Sequence, residues 1–156
     1  MLIPTHEITR DNIEEILKRD VERFKRSLRN FPFDCCTEAS KRLCRRHSRT
    51  HSRYNRFRLI NGKYCGPISS DYIQKYRTTF GAEYPEIPDL ISHTFVYDHG
   101  IGLFIDVTAS QFHPSNPEVL LMPSGDERIS YRRSKINGKT THYVDNSIFA
   151  ELVAEV

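Results

Sequence analysis

Apolar residues recur at every third or fourth position near the start of the chain and gather into short runs further along. From Thr9 to Leu28 this spacing predicts an amphipathic helix with Thr9 as its N-cap. A second helix is predicted to begin at about Asp34 or Cys35, because Asp34 is a favourable capping residue and the apolar positions after it keep a helical period. Cys36 would then lie in the first turn of that helix.

Short apolar runs separated by turn residues predict strands through most of the rest of the chain. Residues 66–91 are predicted to form a loop-rich insert with a short helix at 71–77, and a further short helix is predicted at 146–154. Helices followed by strands indicate an α+β fold, with N-terminal helices packed on a mostly antiparallel sheet. The predicted strand segments, with Asn-Gly turns at 61–62 and 137–138, are 54–64, 93–97, 103–107, 119–122, 130–133 and 140–144.

Length and composition favour one domain over residues 1–156. At 38% hydrophobic residues the chain can build a core without a metal or disulfides. No apolar run approaches the ~18 residues of a membrane helix, so we expect no membrane association. Proline and acid interrupt the N-terminal residues before a hydrophobic stretch forms, which argues against a secretory signal and for a cytoplasmic protein with reduced cysteines.

The charge distribution contains one basic stripe, residues 41–58. It has eight lysines and arginines and no acid, although the net charge of the whole chain is only +3. The rest of the chain is therefore net acidic. The stripe suits a solvated surface or the docking of an acidic partner better than nucleic acid, because it has few interleaved aromatic residues and matches no RNA- or DNA-binding motif.

Cys36 is the candidate nucleophile. A cysteine in the first helical turn feels the positive end of the helix dipole, and a neighbouring imidazolium would lower its pKa further and favour the reactive thiolate. Cys35 is the alternative nucleophile. It is less favourable because it lies closer to Asp34, whose negative charge opposes ionisation of the thiol.

His93 and Asp106 lie on the two strands of a predicted hairpin. If its loop is centred on His99-Gly100, His93 lies directly opposite Asp106, with Cβ atoms ~4.5–5.5 Å apart on one face of the sheet. A loop of odd length would place the two side chains on opposite faces. Together with Cys36, the pair would supply a nucleophile, a general base and acid, and a carboxylate that orients the base.

Three other interpretations compete with a thiol enzyme. Cys44, His47 and His51, with Cys35 or Cys36, can be arranged as a zinc site, but the spacing is not a strong zinc motif and arginines surround it. The basic stripe could serve a binding module without catalysis, which would bind nucleic acid or an acidic partner in a salt-dependent way. A pseudo-enzyme or an inhibitor would keep the same fold without catalysis. We expect no metal and no cofactor.

Three segments carry a resemblance to a known superfamily. Residues 33–40 (FDCCTEAS), 92–96 (SHTFV) and 105–112 (IDVTASQF) resemble small bacterial proteins of the papain-like and transglutaminase-like cysteine enzymes. In those proteins a Cys-Cys pair precedes a helix, a Ser-His pair lies on a strand, and an Asp-x-Thr-x-x-Gln-Phe element ends the next strand. The resemblance covers about residues 31–122 and leaves the insert at 66–91 unmatched.

The resemblance implies a papain-like or transglutaminase-like core and a catalytic triad of Cys36, His93 and Asp106. Asn30 and Gln111 are the candidate amide donors of an oxyanion hole; Asn30 has the same offset from the cysteine as the glutamine of papain-type enzymes. The implied activity is thiol-dependent acyl transfer on carboxamide or peptide bonds of a protein substrate, by a cysteine peptidase or a glutamine deamidase. Small proteins of this type resemble exported effector or toxin modules.

Overall fold

The computed structural model describes residues 8–48, 56–81 and 87–145, which form three α-helices and six strands. Two short 3₁₀ turns cover Ala109–Gln111 and Arg133–Lys135. The predicted helix at 146–154 and the central part of the basic stripe lie outside the described residues. In chain order the elements are α1 Ile13–Ser27, α2 Cys36–Ser48, β1 Phe57–Tyr64, α3 Ser70–Phe80, β2 Ile91–Asp98, β3 Leu103–Asp106, β4 Leu120–Pro123, β5 Ile129–Ser130 and β6 His142–Val144.

The six strands form one sheet in the order β4-β3-β2-β1-β6-β5. All neighbours pair antiparallel except β5 and β6, which are parallel. The sheet curves until it is nearly closed into a barrel, so residues from both edge strands, such as Met122 and Ile129, pack in one apolar cluster. The predicted α+β class with a mostly antiparallel sheet is confirmed. Among the described residues, no helix has the length and hydrophobicity needed to span a membrane.

Three apolar clusters hold the helices and the sheet together. The largest joins the buried faces of α1 and α2 to the sheet, and its α1 residues Ile13, Leu17 and Val21 are at most 1% exposed. A second cluster fills the other face of the sheet. The third lies beside α3, where the rings of Tyr64 and Phe112 stack with centroids 3.9 Å apart. This third cluster borders the candidate functional site.

Helix α1 begins later than predicted. Asn12, not Thr9, is its N-cap, and the backbone N–H of Thr9 donates a hydrogen bond of 2.7 Å to Asn12 Oδ1. Residues 10–12 form a turn in front of the helix, and Ser27 is the last helical residue. The predicted start was wrong because the side chain of Asn12 competes with the helix for local backbone donors.

The Asn61-Gly62 turn predicted within the first strand segment is wrong. Both residues lie inside β1, which runs unbroken between β2 and β6. A Cβ atom at Gly62 would lie 2.4 Å from the Tyr143 carbonyl oxygen and 2.7 Å from the Phe95 ring. The glycine is therefore needed for close packing of the strands, and the two neighbouring strands override the local turn preference.

The loop of the β2–β3 hairpin is longer than predicted. Asp98 pairs with Leu103, so the loop is the four residues 99–102, and Gly102 in it has a left-handed φ of 69°. The predicted register is therefore wrong by two residues, and Asp106 lies level with Phe95 and diagonal to His93. Because the shift is even, Asp106 and His93 still share one face of the sheet.

The predicted insert at 66–91 contains a full helix. Helix α3 covers Ser70–Phe80 and is longer than the helix predicted at 71–77. Its N-cap is Ser69, whose side chain accepts a hydrogen bond from the backbone N–H of Tyr72. The helix places a row of aromatic side chains beside the start of α2.

Candidate functional site

Asp106, the last residue of β3, is the centre of a buried polar group. Its Oδ2 atom accepts hydrogen bonds from Nε2 of His93 at 2.6 Å and from Nε2 of His142 at 2.7 Å. Its Oδ1 atom accepts from the backbone N–H of Thr108 at 2.9 Å and from the Thr108 hydroxyl at 3.3 Å. The carboxylate is 1% exposed and makes four contacts as an acceptor. These contacts fix its position.

Charge interactions in this group oppose the effect of burial. Burial would raise the pKa of the Asp106 carboxyl, but the charge of His93 and hydrogen bonds from both imidazoles hold that pKa far below its ordinary value. Burial would likewise lower the pKa of His93, but Asp106 raises it well above the ordinary value, with a smaller contribution from Cys36. The surroundings of His93 therefore favour the imidazolium form beside an ionised Asp106.

Aromatic rings shield this ion pair from water. The ring of Phe112 meets the His93 ring edge to face at 4.9 Å between centroids, and Phe95 lies 5.9 Å from it on the same strand. The centroids of the Tyr64 and His142 rings are 5.5 Å apart. Low polarity around the pair strengthens the attraction between its charges.

Helix α2 begins at Cys36 and is hydrogen-bonded to β2 next to His93. The hydroxyls of Thr37 and Thr94 are 3.2 Å apart, and the Ser40 hydroxyl donates to the Thr94 carbonyl at 3.2 Å. These contacts hold the N-terminus of α2 against the strand that carries the imidazole. They place the half-buried Cys36 thiol in the cleft that His93 also lines.

The Cys36 thiol interacts with the His93 ring. Burial would raise the pKa of this thiol, but interaction with the His93 imidazole, helped by the backbone N–H of Thr94, lowers it below the ordinary value. Nδ1 of His93 has no partner of full hydrogen-bond geometry among the described residues. The sulfur is thus near enough for a charge interaction with the ring without making a well-aligned hydrogen bond.

Cys35 is directed away from the site. Its thiol donates a hydrogen bond of 3.4 Å to the Arg29 carbonyl, and the residue does not line the cleft. Burial, followed by the negative charge of Asp34, raises the pKa of this thiol. The geometry therefore favours Cys36 over Cys35 as the more reactive of the two thiols.

Gln111 presents an unused donor at the site. The backbone N–H of Asp34 donates to Gln111 Oε1 at 3.2 Å, which fixes the orientation of the amide. The Nε2 atom is buried without a partner among the described residues, and the side chain lines the same cleft as Cys36. A buried N–H donor without a partner can donate a hydrogen bond to an anionic oxygen.

The structure does not bring Asn30 into the cleft. Asn30 is exposed, has a left-handed φ of 65°, and lines a neighbouring groove between Phe31 and α3. Its backbone carbonyl accepts the N–H of Phe33 at 2.8 Å, closing the turn that leads into α2. The role expected for Asn30 as an oxyanion donor is thus not supported by its position, and the residue serves the turn instead.

His142, the first residue of β6, was not identified from the sequence. It is fully buried, donates from Nε2 to Asp106, and its Nδ1 lies 2.8 Å from the Thr141 hydroxyl. Burial lowers the pKa of this imidazole despite the carboxylate beside it, which keeps it neutral. The available signal was a histidine between Thr140 and Val144 on the inward positions of a predicted strand.

His93, Asp106 and His142 together have the composition of a metal site. Their contact distances do not fit one. Atoms bound to a metal at ~2.0–2.2 Å lie about 3 Å or more from each other in tetrahedral geometry, whereas Asp106 Oδ2 is 2.6 and 2.7 Å from the two nitrogens. These are lengths of charge-assisted hydrogen bonds.

The zinc site considered at Cys44, His47 and His51 is also unsupported. His47 is buried, and its Nε2 lies 2.8 Å from Oδ2 of the buried Asp20, so that nitrogen is occupied. Burial raises the pKa of the Cys44 thiol to about 11, which disfavours the thiolate that zinc requires. His51 lies outside the described residues.

Several arginines of the basic stripe make ion pairs within the chain. Arg42 and Arg45 both contact Glu38, at 3.1 and 3.3 Å, and Arg46 contacts Asp20 at 3.0 Å. These contacts neutralise part of the charge that the stripe would offer to an acidic partner. Docking through this stripe stays a prediction.

Cys36, His93 and Gln111 all line one cleft of about 380 Å³. Helix α3 and the loop before β2 form its far wall. The cleft is lined by Phe33, Asp34, Cys36, Thr37, Tyr72, Tyr76, Phe80, Pro88, Leu90, Ile91, Ser92, His93, Thr94, Gln111 and Phe112.

This arrangement can activate a thiol, transfer a proton and bind an oxyanion, which are the requirements of acyl transfer at a cysteine. Comparisons with protein-family models, with curated proteins and with solved structures gave no match.

Proposed function

We propose that this protein is a thiol-dependent acyl-transfer enzyme that acts on carboxamide or peptide bonds of a protein substrate. The observation that carries the proposal is the placement of Cys36 at a helix N-terminus, beside an imidazole whose other side is bound by a buried carboxylate. Cys36 would be the nucleophile, His93 the general base and acid, and Asp106 the group that orients His93. A papain-like or transglutaminase-like core belongs to the same proposal.

The first half of the reaction is attack on the carbonyl carbon. The Cys36 thiolate forms a carbon–sulfur bond, and the carbonyl electron pair moves onto oxygen. That oxyanion would accept hydrogen bonds from Gln111 Nε2 and from the backbone N–H of Cys36. When the carbon–nitrogen bond breaks, the His93 imidazolium donates its proton to the leaving nitrogen, so that ammonia or an amine departs and a thioester remains.

The second half of the reaction releases the acyl group. His93, now neutral, takes a proton from water, and the water oxygen attacks the thioester carbon. Collapse of the second tetrahedral intermediate breaks the carbon–sulfur bond, yielding a carboxylic acid and restoring the Cys36 thiolate and the His93 imidazolium. Asp106 keeps its negative charge throughout and holds the ring with Nε2 towards the carboxylate.

Alkylation of the cysteines as a function of pH tests the proposal directly. We expect iodoacetamide to label Cys36 with a half-maximal rate at a pH below the ordinary thiol value of about 8.5. Cys44 and Cys65 should react only at higher pH, because burial raises the pKa of both thiols. In His93→Ala, loss of the imidazolium should move the Cys36 profile to higher pH, since burial and the charge of Asp106 then raise the thiol pKa against the backbone N–H of Thr94 only.

Labelling at each site is quantified by mass spectrometry of peptides from pH 5 to 9. Cys35 is the internal control, because it adjoins Cys36 in sequence but has a raised thiol pKa. If Cys35 and Cys36 titrate together at the ordinary value, the proposed nucleophile is wrong.

The Gln111→Ala substitution separates oxyanion binding from thiol activation. We expect turnover of an activated acyl ester such as p-nitrophenyl acetate to fall about 10²-fold relative to the alkylation rate of Cys36. The ratio should change because alkylation by iodoacetamide creates no oxyanion, whereas ester cleavage does. It is measured from p-nitrophenolate release and peptide labelling on the same sample, and an unchanged ratio would remove Gln111 from the mechanism.

A further inference from the structure

A continuous row of aromatic rings runs from the site to the surface along α3. The ring of Phe112 contacts His93 at 4.9 Å and Tyr72 at 5.0 Å between centroids. Along the helix, Tyr72 contacts Tyr76 at 6.1 Å and Tyr76 contacts Phe80 at 4.7 Å. Residues four apart share one face of a helix, so the three α3 rings form a single stripe that faces the cleft.

The outer end of this stripe is exposed to an unusual degree. Phe80 is 46% exposed and is the one large hydrophobic side chain in the exposed class among the described residues. It lies in the wall of the cleft that contains Cys36, not on an isolated part of the surface. Exposed apolar side chains in a cleft mark positions where a ligand is covered on binding.

The charges of the cleft also limit what can bind there. Besides His93, Asp34 is the one charged side chain among the described residues that line it. Asp34 is exposed, lies two residues before the start of α2 and would repel an acidic group. Phe33, which contacts Tyr72 at 5.7 Å, and Leu90 extend the apolar surface on either side.

On the basis of the proposed function, we infer that the substrate is a peptide whose bulky apolar side chain, preferably aromatic, lies within one or two residues of the reacting carbonyl. That side chain would pack against Tyr76 and Phe80 while the carbonyl lies between Cys36 and Gln111. A substrate of this kind would be cleaved at a peptide bond after an apolar sequence, rather than modified at a glutamine side chain. The stripe belongs to residues 66–91, the insert that the resemblance left unmatched.

Dipeptidyl chloromethyl ketones test this inference on the full chain. Each reagent alkylates an active thiol with loss of chloride, and its two side chains are Phe-Phe, Ala-Ala, Glu-Glu or Ala-Gln. Every rate of Cys36 labelling is divided by the iodoacetamide rate of the same variant. We expect the Phe-Phe reagent to exceed the Ala-Ala reagent at least about tenfold, and the Glu-Glu reagent to be slowest.

Variants of α3 show whether the preference depends on the stripe. Phe80→Ser and Tyr76→Ala should each reduce the Phe-Phe to Ala-Ala ratio about fivefold. Thr79→Ala, an exposed change on the same helix away from the cleft lining, should leave the ratio unaltered. Nearly half of the Phe80 surface is exposed, so its replacement tests binding with little risk to folding.

The outcomes separate this inference from the function on which it rests. Selective iodoacetamide labelling of Cys36 with no Phe-Phe preference, or with the Ala-Gln reagent fastest, overturns the substrate class and leaves the thiol enzyme standing. A preference that survives in both Phe80→Ser and Tyr76→Ala places the apolar subsite elsewhere and also overturns the inference. Failure of Cys36 to react selectively with iodoacetamide overturns both proposals.

Discussion

Asp106→Asn is expected to reduce acyl-transfer turnover by about 10⁴-fold and to lower the free energy of unfolding by about 3–5 kcal/mol. The carboxylate accepts four hydrogen bonds, two on each oxygen. An asparagine has one oxygen, so its NH₂ group must face either the two imidazole N–H donors or the donors of Thr108. Either orientation sets donor against donor in a buried site.

The matched control is Glu118→Gln, the same carboxylate-to-amide change on the surface. Glu118 accepts from Lys25 at 2.7 Å, but both side chains are largely exposed. Such a pair is screened by water, and we expect little change in stability or turnover. Urea denaturation gives the unfolding free energies, and activated-ester cleavage gives turnover; equal effects of the two substitutions would contradict the role given to Asp106.

The stability difference between wild type and Asp106→Asn should depend on pH. The pKa of Asp106 is lower in the folded state, so its contribution is present above the unfolded value of about 3.9 and is lost as pH falls. The pKa of His93 is higher in the folded state, so its contribution is present below about 6.5 and is lost as pH rises through the folded value. The difference in unfolding free energy should therefore be largest between about pH 3.9 and about pH 6.5. It should become small at lower pH, where Asp106 becomes protonated and its contribution is lost.

Local signals in the sequence were sufficient to predict that Cys36 lies at the start of a helix. Asp34, whose residue type favours helix caps, and the helical spacing after it predicted a helix that begins close to Cys36, and α2 begins at Cys36. Such signals act within one turn of helix and need no knowledge of distant residues. The start of α1 was missed by the same reasoning, because the Asn12 side chain forms a local turn that spacing alone does not reveal.

The relation between His93 and Asp106 was predicted for a partly wrong reason. The register was off by two residues, yet the two side chains meet at 2.6 Å. Because side chains alternate along a strand, an even error keeps the face and an odd error changes it. Parity was therefore the robust part of the prediction, and the direct opposition of the two residues was not.

Contacts between strands distant in sequence could not be predicted. Gly62 belongs to the interior of β1 because β2 and β6 flank it, and a single sequence does not show which strands become neighbours. The same applies to His142, which reaches Asp106 from a strand 36 residues further along the chain. Its inward position was readable from the alternation in β6, but its partner was set by the sheet order.

His142→Leu is expected to lower the free energy of unfolding by about 3 kcal/mol, whereas His142→Gln should recover much of that loss. Leucine removes the donor to Asp106 and leaves the Thr141 hydroxyl without the imidazole nitrogen. Glutamine reaches about as far and can present an N–H to the same carboxylate oxygen. Denaturant titration measures stability, and the pH profile of Cys36 alkylation measures the effect on the thiol.

This pair of variants separates a positioning role for His142 from simple filling of the core. If filling alone mattered, leucine would be tolerated at least as well as glutamine, and the alkylation profiles would not differ. If the three buried groups instead bound a metal, a chelator such as EDTA would lower the wild-type unfolding midpoint, because removal of a ligand bound only to the folded state destabilises it. We expect no such shift, because Asp106 Oδ2 lies 2.6 and 2.7 Å from the two imidazole nitrogens and so accepts a hydrogen bond from each.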